Sequence, residues 1–257
     1  MIKADLHCHI LPSIDDGAET LEVSLGLLRK EAEQGIEKIV FTPHFHPGKD
    51  SVQDFLIRRD RASDSLRRFL DQTELRDRFA FYYGAEVRYS PALTDTADLD
   101  ALCITGTKVL LVEFPFQQKP EFIREVFYRL QLRGYILLLA HVERFAWLRK
   151  DPSLLYDLVS GGAFAQFNAD TILKHKDIFA FVRKMFECGL LHGIGSDAHD
   201  LEERSPRIRE AEKLLNTIES NIAENINNFS FELLDGFVPL TDAPVKPRKN
   251  LWDFLKK

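Results

Sequence analysis

Short apolar runs recur along this chain, and six of them end in an acidic or imidazole side chain. The first delivers Asp5-Leu6-His7-Cys8-His9, and Ile39-Val40-Phe41 leads into Thr42-Pro43-His44. Tyr82-Tyr83-Gly84-Ala85 leads into Glu86, and Val109-Leu110-Leu111-Val112 into Glu113. Ile136-Leu137-Leu138-Leu139-Ala140 stops at His141, and Gly193-Ile194-Gly195-Ser196 at Asp197-Ala198-His199. In a barrel of parallel strands the carboxyl ends share one mouth, so ligands far apart in sequence become neighbours. The pattern predicts a metal-dependent hydrolase.

Continuous apolar runs suit parallel strands buried on both faces. They place strands near 3–8, 36–42, 79–87, 107–113, 134–140, 163–167 and 191–196. Helical periodicity fills the gaps. Leu21, Leu25, Leu28 and Ala32 follow a Thr20 cap and stop at Gly35, and Phe55, Ala62, Leu66 and Phe69 follow Ser51. Ile123, Phe127 and Leu130 mark a third helix, and Ile172, Phe179, Val182 and Phe186 a fourth that opens at Asp170. Ser205-Pro206 reads as a cap plus first-turn proline. Strand and helix in alternation predict an α/β fold, here a distorted seven-stranded (β/α)7 TIM-like barrel. Pro239, Pro244 and Pro247 break the pattern, which divides the chain into a catalytic domain, 1–238, and a C-terminal tail, 239–257. Leu251, Trp252 and Phe254 are the tail's candidate packing residues.

A formal net charge of −6 offers no general attraction to nucleic acid or an anionic membrane. The three cysteines, Cys8, Cys103 and Cys188, are widely spaced and odd in number, which suits a reducing compartment. Charged residues interrupt the N-terminus where a signal peptide would be apolar, and no run reaches the roughly 20 apolar residues of a membrane span. A soluble, cytoplasmic protein is expected.

Residues two apart on a strand face the same side, so His7 and His9 can reach one ion while Cys8 points away. By itself the pair equally fits two polar residues on an exposed strand. Asp197 and His199 repeat the spacing, with a helix cap as the ordinary alternative. Glu86 and Glu113 would be costly if buried without a cation or hydrogen-bond donor, and Arg88 is the ordinary ion-pair partner. Asp16, in an Asp-Gly turn, can lean back toward the first strand. Mixed imidazole and carboxylate donors suit manganese, iron, zinc or magnesium. Arg144, three residues past His141, and Arg204, before Ser205-Pro206, are candidates for binding phosphate in bidentate fashion. His46 is left open between ligand and supporting donor. His175 is placed within a helix as a boundary residue, His192 inside the last strand as a hydrogen-bonded structural residue, and Asn168 either touches substrate or caps a helix.

Taken together, Asp5-Leu6-His7-Cys8-His9, Asp15-Asp16-Gly17, Thr42-Pro43-His44, Gly84-Ala85-Glu86-Val87-Arg88-Tyr89, Ala140-His141-Val142-Glu143-Arg144 and Ser196-Asp197-Ala198-His199 resemble the polymerase-and-histidinol-phosphatase (PHP) superfamily. More narrowly the chain is similar to the bacterial manganese-dependent tyrosine phosphatases of capsule and exopolysaccharide systems, over roughly residues 1–235. The resemblance implies two or three metal ions, manganese ahead of iron, zinc or magnesium. It implies one ion on His7, His9, Glu86 and Asp197, a second on Glu86, Glu113 and His141, and a third on Asp16, His44 and His199. It assigns Arg144 and Arg204 to the phosphoryl oxygens and points to an autophosphorylated bacterial tyrosine kinase as partner. Phe45 departs from the family, which often carries a second His there. No cysteine is followed six residues later by Arg, so the phosphate loop of thiol-dependent tyrosine phosphatases is absent. The alternatives are a histidinol-phosphate phosphatase, a metal-dependent amidohydrolase and a non-catalytic metal-binding partner of a kinase. The oligomeric state is left open.

Overall fold

The structure, a computed structural model, describes residues 1–248. Leu251, Trp252 and Phe254 therefore lie outside the described residues. Its strands are β1 (Ala4–Cys8), β2 (Lys38–Phe41), β3 (His44–Phe45), β4 (Ala80–Tyr83), β5 (Glu86–Arg88), β6 (Val109–Glu113), β7 (Ile136–Leu139), β8 (Phe164–Asn168) and β9 (Gly193–Gly195). Every pairing is parallel, in the orders β1-β2-β4 and β3-β5-β6-β7-β8-β9. Pro43 has no N–H to donate and separates β2 from β3. The ladder still crosses the break, because Gly84 N donates to Phe41 O at 2.9 Å and Glu86 N to Thr42 O at 3.2 Å. Beyond β9, Asp197 N donates to His7 O at 2.8 Å and His9 N to Ala198 O at 2.9 Å, so the chain after β9 runs beside β1. The result is an α/β fold around a curled parallel sheet.

Helices cover the outside: α1 (Leu21–Glu33), α2 (Val52–Leu70), α3 (Ile123–Leu132), α4 (Ala146–Lys150), α5 (Ser153–Ser160), α6 (Ala169–Lys174), α7 (Lys176–Glu187), α8 (Ile208–Leu215) and α9 (Ile222–Leu234). Thr20 and Ser51 cap α1 and α2 by accepting from Val23 N and Asp54 N. Two expectations are corrected. The periodic stretch after Asp170 is two helices, because His175 is extended (φ −137°, ψ 123°) and separates α6 from α7; Asn168 stands at the N-terminus of α6 but its side chain makes no capping bond there. Ser205-Pro206 does not open a helix; α8 begins at Ile208.

The core has two parts. Phe41, Phe45, Phe55, Phe114, Phe127 and Phe145 fill the space between strands and helices. A smaller cluster inside the curl joins Ala4, Leu6, Val40, Leu111 and Leu138 to Phe229 and Leu233 of α9. Gly193 and Gly195 share one face of β9, and a Cβ there would fall 2.9 Å from Leu6 Cδ1 and 2.6 Å from His7 Cβ. Leu6 and His7, adjacent in sequence, thus both face inward, and the irregular register of β1 between Asp5 and Cys8 makes this possible. Cys8 is left facing outward, its Sγ 3.4 Å from Val40 O. Past α9, Val245 N donates to Cys188 O at 2.9 Å and ties the C-terminal segment to the end of α7. Among the described residues no helix is long and apolar enough to cross a membrane.

Candidate metal centre

Nine imidazole and carboxylate side chains converge on one mouth of the curled sheet. His7 and His9 leave β1, His44 opens β3, Glu86 opens β5 and Glu113 closes β6. His141 follows β7, Asp197 and His199 follow β9, and Asp16 comes from the loop after β1. Four groups have ligand atoms within 4.8 Å of one another: His9, Asp16, His44 and His199; His7, His9 and Asp197; His7, Glu86 and His141; His44, Glu86 and Glu113. Glu86 sits at the middle. Its Oε2 is 3.3 Å from both His7 Nε2 and His9 Nε2 and 3.0 Å from His44 Nδ1, and its Oε1 is 2.7 Å from His141 Nε2. His7, His9 and His44 each belong to two groups, a sharing that the resemblance did not imply. His141 and Asp197 hold positive φ, 29° and 51°, a conformation that is strained for residues with a Cβ and clusters at functional sites.

Hydrogen bonds fix which ring nitrogens face inward. Gln166 Nε2 donates to Phe167 O and Asn168 Oδ1, so its Oε1 must be the atom beside His7 Nδ1 at 3.2 Å. His7 Nδ1 is therefore the donor. His9 Nδ1 donates to Asp15 Oδ2 at 2.7 Å, and His199 Nδ1 to Asp197 O at 2.8 Å. All three neutral rings then carry a lone pair on Nε2. Yet His7 Nε2 and His9 Nε2 lie 3.0 Å apart, each 3.5 Å from Asp197 Oδ1. Two lone pairs at that distance repel unless a proton or a metal cation lies between them. Divalent ions with bonds of about 2.0–2.2 Å space neighbouring ligands by roughly 2.9–3.5 Å, so the residues fit such a group. Buried His199 Nε2 and Glu86 Oε2 have no hydrogen-bond partner among the described residues, as expected of atoms aimed at an ion.

The electrostatics agree. Burial opposes charge on His9, but Asp15 and Glu86 outweigh it and lift its pKa to about 9. Burial likewise opposes charge on His44, and Asp16 with Glu86 lifts it to about 11. Burial and then the Glu86 carboxylate push Glu113 up to about 7. Burial acts against Glu86 too, yet His7, His141 and His44 hold it well below the usual carboxylate range. The cluster attracts positive charge, which protons supply when no metal does.

Asp197 divides its two oxygens between tasks. Oδ1 faces the imidazoles, and Oδ2 accepts from Arg144 Nη1 at 2.8 Å, Arg204 Nη2 at 2.8 Å and Asn168 Nδ2 at 2.6 Å. Both arginines, part-exposed, are thus held at the edge of the cluster. Arg88 Nη1 lies 3.4 Å from Glu113 Oε2, so the ordinary ion pair and the ligand cluster share that glutamate. His46 lies beside His44, ring centroids 5.9 Å apart, and falls in none of the four groups. Phe45, the departure from the family, is buried edge-on against Phe55. His175 and His192 stand away from the cluster, and His192 Nδ1 accepts from Ala165 N at 3.1 Å.

Several supporting residues escaped the sequence reading. Asp15 orients His9 and accepts from His44 N at 3.0 Å and Gly17 N at 3.0 Å. A Cβ on Gly17 would fall 2.1 Å from His9 O, so only glycine lets this turn fold back onto β1. Gln166 holds His7 and also accepts from His141 N at 3.0 Å. Asp5 accepts from Ser196 Oγ at 2.6 Å and Ser196 N at 2.8 Å, fixing the chain just before Asp197.

The sequence model of the capsular polysaccharide synthesis family CpsB/CapC matches residues 3–228. The chain is 37% identical to the tyrosine-protein phosphatase YwqE of Bacillus subtilis over 210 residues, covering 80% of this chain and 81% of that protein. It is 28% identical to the tyrosine-protein phosphatase CpsB of Streptococcus agalactiae over 222 residues, covering 82% and 88%. A chain from the crystal structures of YwqE from Bacillus subtilis and CpsB from Streptococcus pneumoniae, described as unique metal-dependent tyrosine phosphatases, superposes with a TM-score of 0.85. The match has 32% identity and covers 96% of this chain and 100% of that one.

Proposed function

This chain belongs to the CpsB/CapC capsular polysaccharide synthesis family, and on that premise we propose that it is a metal-dependent protein-tyrosine phosphatase. One observation carries the reading: nine imidazole and carboxylate side chains, with Glu86 at their centre, gather in one mouth, and two arginines are anchored on the outer oxygen of Asp197. His7, His9, Asp16, His44, Glu86, Glu113, His141, Asp197 and His199 would hold two or three divalent ions, manganese in the first place, with Glu86 contributing to more than one of the ligand groups. Bound divalent ions supply Lewis acidity and a hydroxide nucleophile near neutral pH. Asp15, Gln166 and the Asp197 carbonyl keep His9, His7 and His199 in the tautomer that presents Nε2. Arg144 and Arg204 take the equatorial phosphoryl oxygens, and Asp197 Oδ2 aims them before substrate arrives, so little is spent on reorganisation. No thiol takes part: Cys8 is buried behind β1, and burial pushes its pKa well up.

The site also bears on the remaining assignments. The curled sheet reads as a closed seven-stranded (β/α)7 barrel if β2 with β3, and β4 with β5, count as single broken strands; the backbone bonds between His7, His9 and residues 197–198 support closure. Residues 1–238 form the phosphatase domain and 239–257 the tail. The substrate is a phosphotyrosine on a bacterial tyrosine kinase that governs polysaccharide export, in the cytoplasm. The test is hydrolysis of a phosphotyrosine peptide and of histidinol phosphate with manganese, iron, zinc or magnesium, for the wild type, His141→Ala and Arg204→Ala. Metal-dependent turnover of the peptide is expected, with each variant down by about 10²–10³-fold. Activity that survives chelation, or preference for histidinol phosphate, overturns the proposal.

A further inference from the structure

Phe116 lies three residues past Glu113, on the loop between β6 and α3. It is half-buried, whereas its neighbours Phe114 and Phe145 are fully buried. Its ring stacks on the imidazole of His141, with centroids 5.6 Å apart and planes at 18°. The guanidinium carbon of Arg144 lies 4.8 Å from its centroid, and the Phe145 ring backs it at 5.3 Å. Trp147 Nε1 donates to Pro115 O at 3.2 Å and pins the root of the loop. A rigid aromatic ring with part of its surface in solvent therefore stands between a ligand of the cluster and a phosphate-binding arginine. Neither neighbour needs an aromatic ring for its own role: Arg144 is already anchored on Asp197, and His141 on Glu86.

A phosphoryl group held between the cluster and Arg144 must carry its ester substituent out past the nearest wall, and Phe116 supplies that wall. We propose that Phe116 is a specificity-determining residue, which packs against the ring of an aryl phosphate and sets the preference for aryl over alkyl esters. The inference rests on the phosphatase reading of the same site. Aromatic pairs in offset or edge-to-face contact are favourable beyond the area they bury, by an amount equivalent to about 2- to 12-fold in affinity.

The test compares wild type, Phe116→Leu and Phe116→Tyr, each loaded with manganese. Binding of phenylphosphonate and methylphosphonate is measured by calorimetry, and kcat/KM on a phosphotyrosine and a phosphoserine peptide is measured alongside. In Phe116→Leu the phenyl-to-methyl affinity ratio and the aryl-to-alkyl kcat/KM ratio are expected to fall by about 2- to 12-fold. Phe116→Tyr, which keeps the ring, retains both ratios. An equal weakening of both phosphonates would make Phe116 only a prop for Arg144 and overturn the proposal, as would unchanged ratios. A wild type that hydrolyses neither peptide would instead defeat the phosphatase reading, while the phosphonate ratio still reports on Phe116.

Discussion

Loading the metal site should eject protons, and the number follows from the geometry. In the metal-free protein the pKa of His9 is about 9 and that of His44 about 11, because Asp15, Asp16 and Glu86 outweigh burial. At about pH 7.5 both rings are imidazolium. Ligation takes the neutral ring, so uptake of metal releases at least two protons, one each from His9 and His44, and, although burial opposes it, the Glu86 and Asp197 carboxylates raise the pKa of His7 as well. His141 and His199, whose burial lowers their pKa values, are already neutral and add none. Linkage then makes the apparent affinity rise by at least about 100-fold per pH unit between roughly pH 7 and 9, and at least about 10-fold per unit between roughly 9 and 11. Stability of the metal-free fold moves the other way. A histidine whose pKa is raised contributes in full below its unfolded value of about 6.5 and loses that contribution as pH rises through its folded value. Chelated protein should therefore weaken as pH climbs through about 9 and 11 at His9 and His44. Calorimetric titration with manganese in two buffers of different ionisation enthalpy counts the protons directly. His44→Gln should lower the count by about one. Uptake at pH about 7.5 with no proton release would show that the rings are neutral beforehand, and the electrostatic reading of the cluster would fail.

Two further perturbations separate support from ligation. Asp15 receives three donors on its two oxygens, and Asp15→Asn has only one acceptor oxygen to meet them; metal affinity should drop by about 10- to 100-fold in chelator competition above roughly pH 9, where proton competition at His9 has ended. Unchanged affinity there would remove Asp15 from the account. Burial lowers the pKa of His192 to about 4, so the unfolded chain takes up its proton first on acidification. Stability should be lost as pH falls from about 6.5 toward 4, by roughly 3 kcal/mol from this residue. His192→Gln should flatten that part of the urea-denaturation profile, and an unaltered pH slope would refute the assignment.

The parallel strands were legible because burial on both faces leaves continuous apolar runs, and the ligands were legible because they end those runs. Asp5 to His9 illustrates what a two-residue period cannot show: strict alternation would put Leu6 and His7 on opposite faces, but the irregularity in β1 turns both inward. Asp15 looked like half of an ordinary Asp-Gly turn, since its partners His9 and His44 meet it only after folding. Gln166 did leave a trace, as a lone amide inside the apolar stretch Phe164 to Phe167. A buried amide must satisfy two donors and an acceptor that can take two bonds, and its partners here are His7, His141, Phe167 and Asn168. The helix after Asp170 misled because apolar spacing continues across His175, where the backbone is extended. The same limit applies to the strained φ of His141 and Asp197, which no residue pattern announces. Those two positions are where the chain leaves a strand and its side chain must turn into the mouth. The bonds of His141 N to Gln166 and of Asp197 N to His7 O hold them there, so the scaffold that stores the strain is the one that orients the ligands.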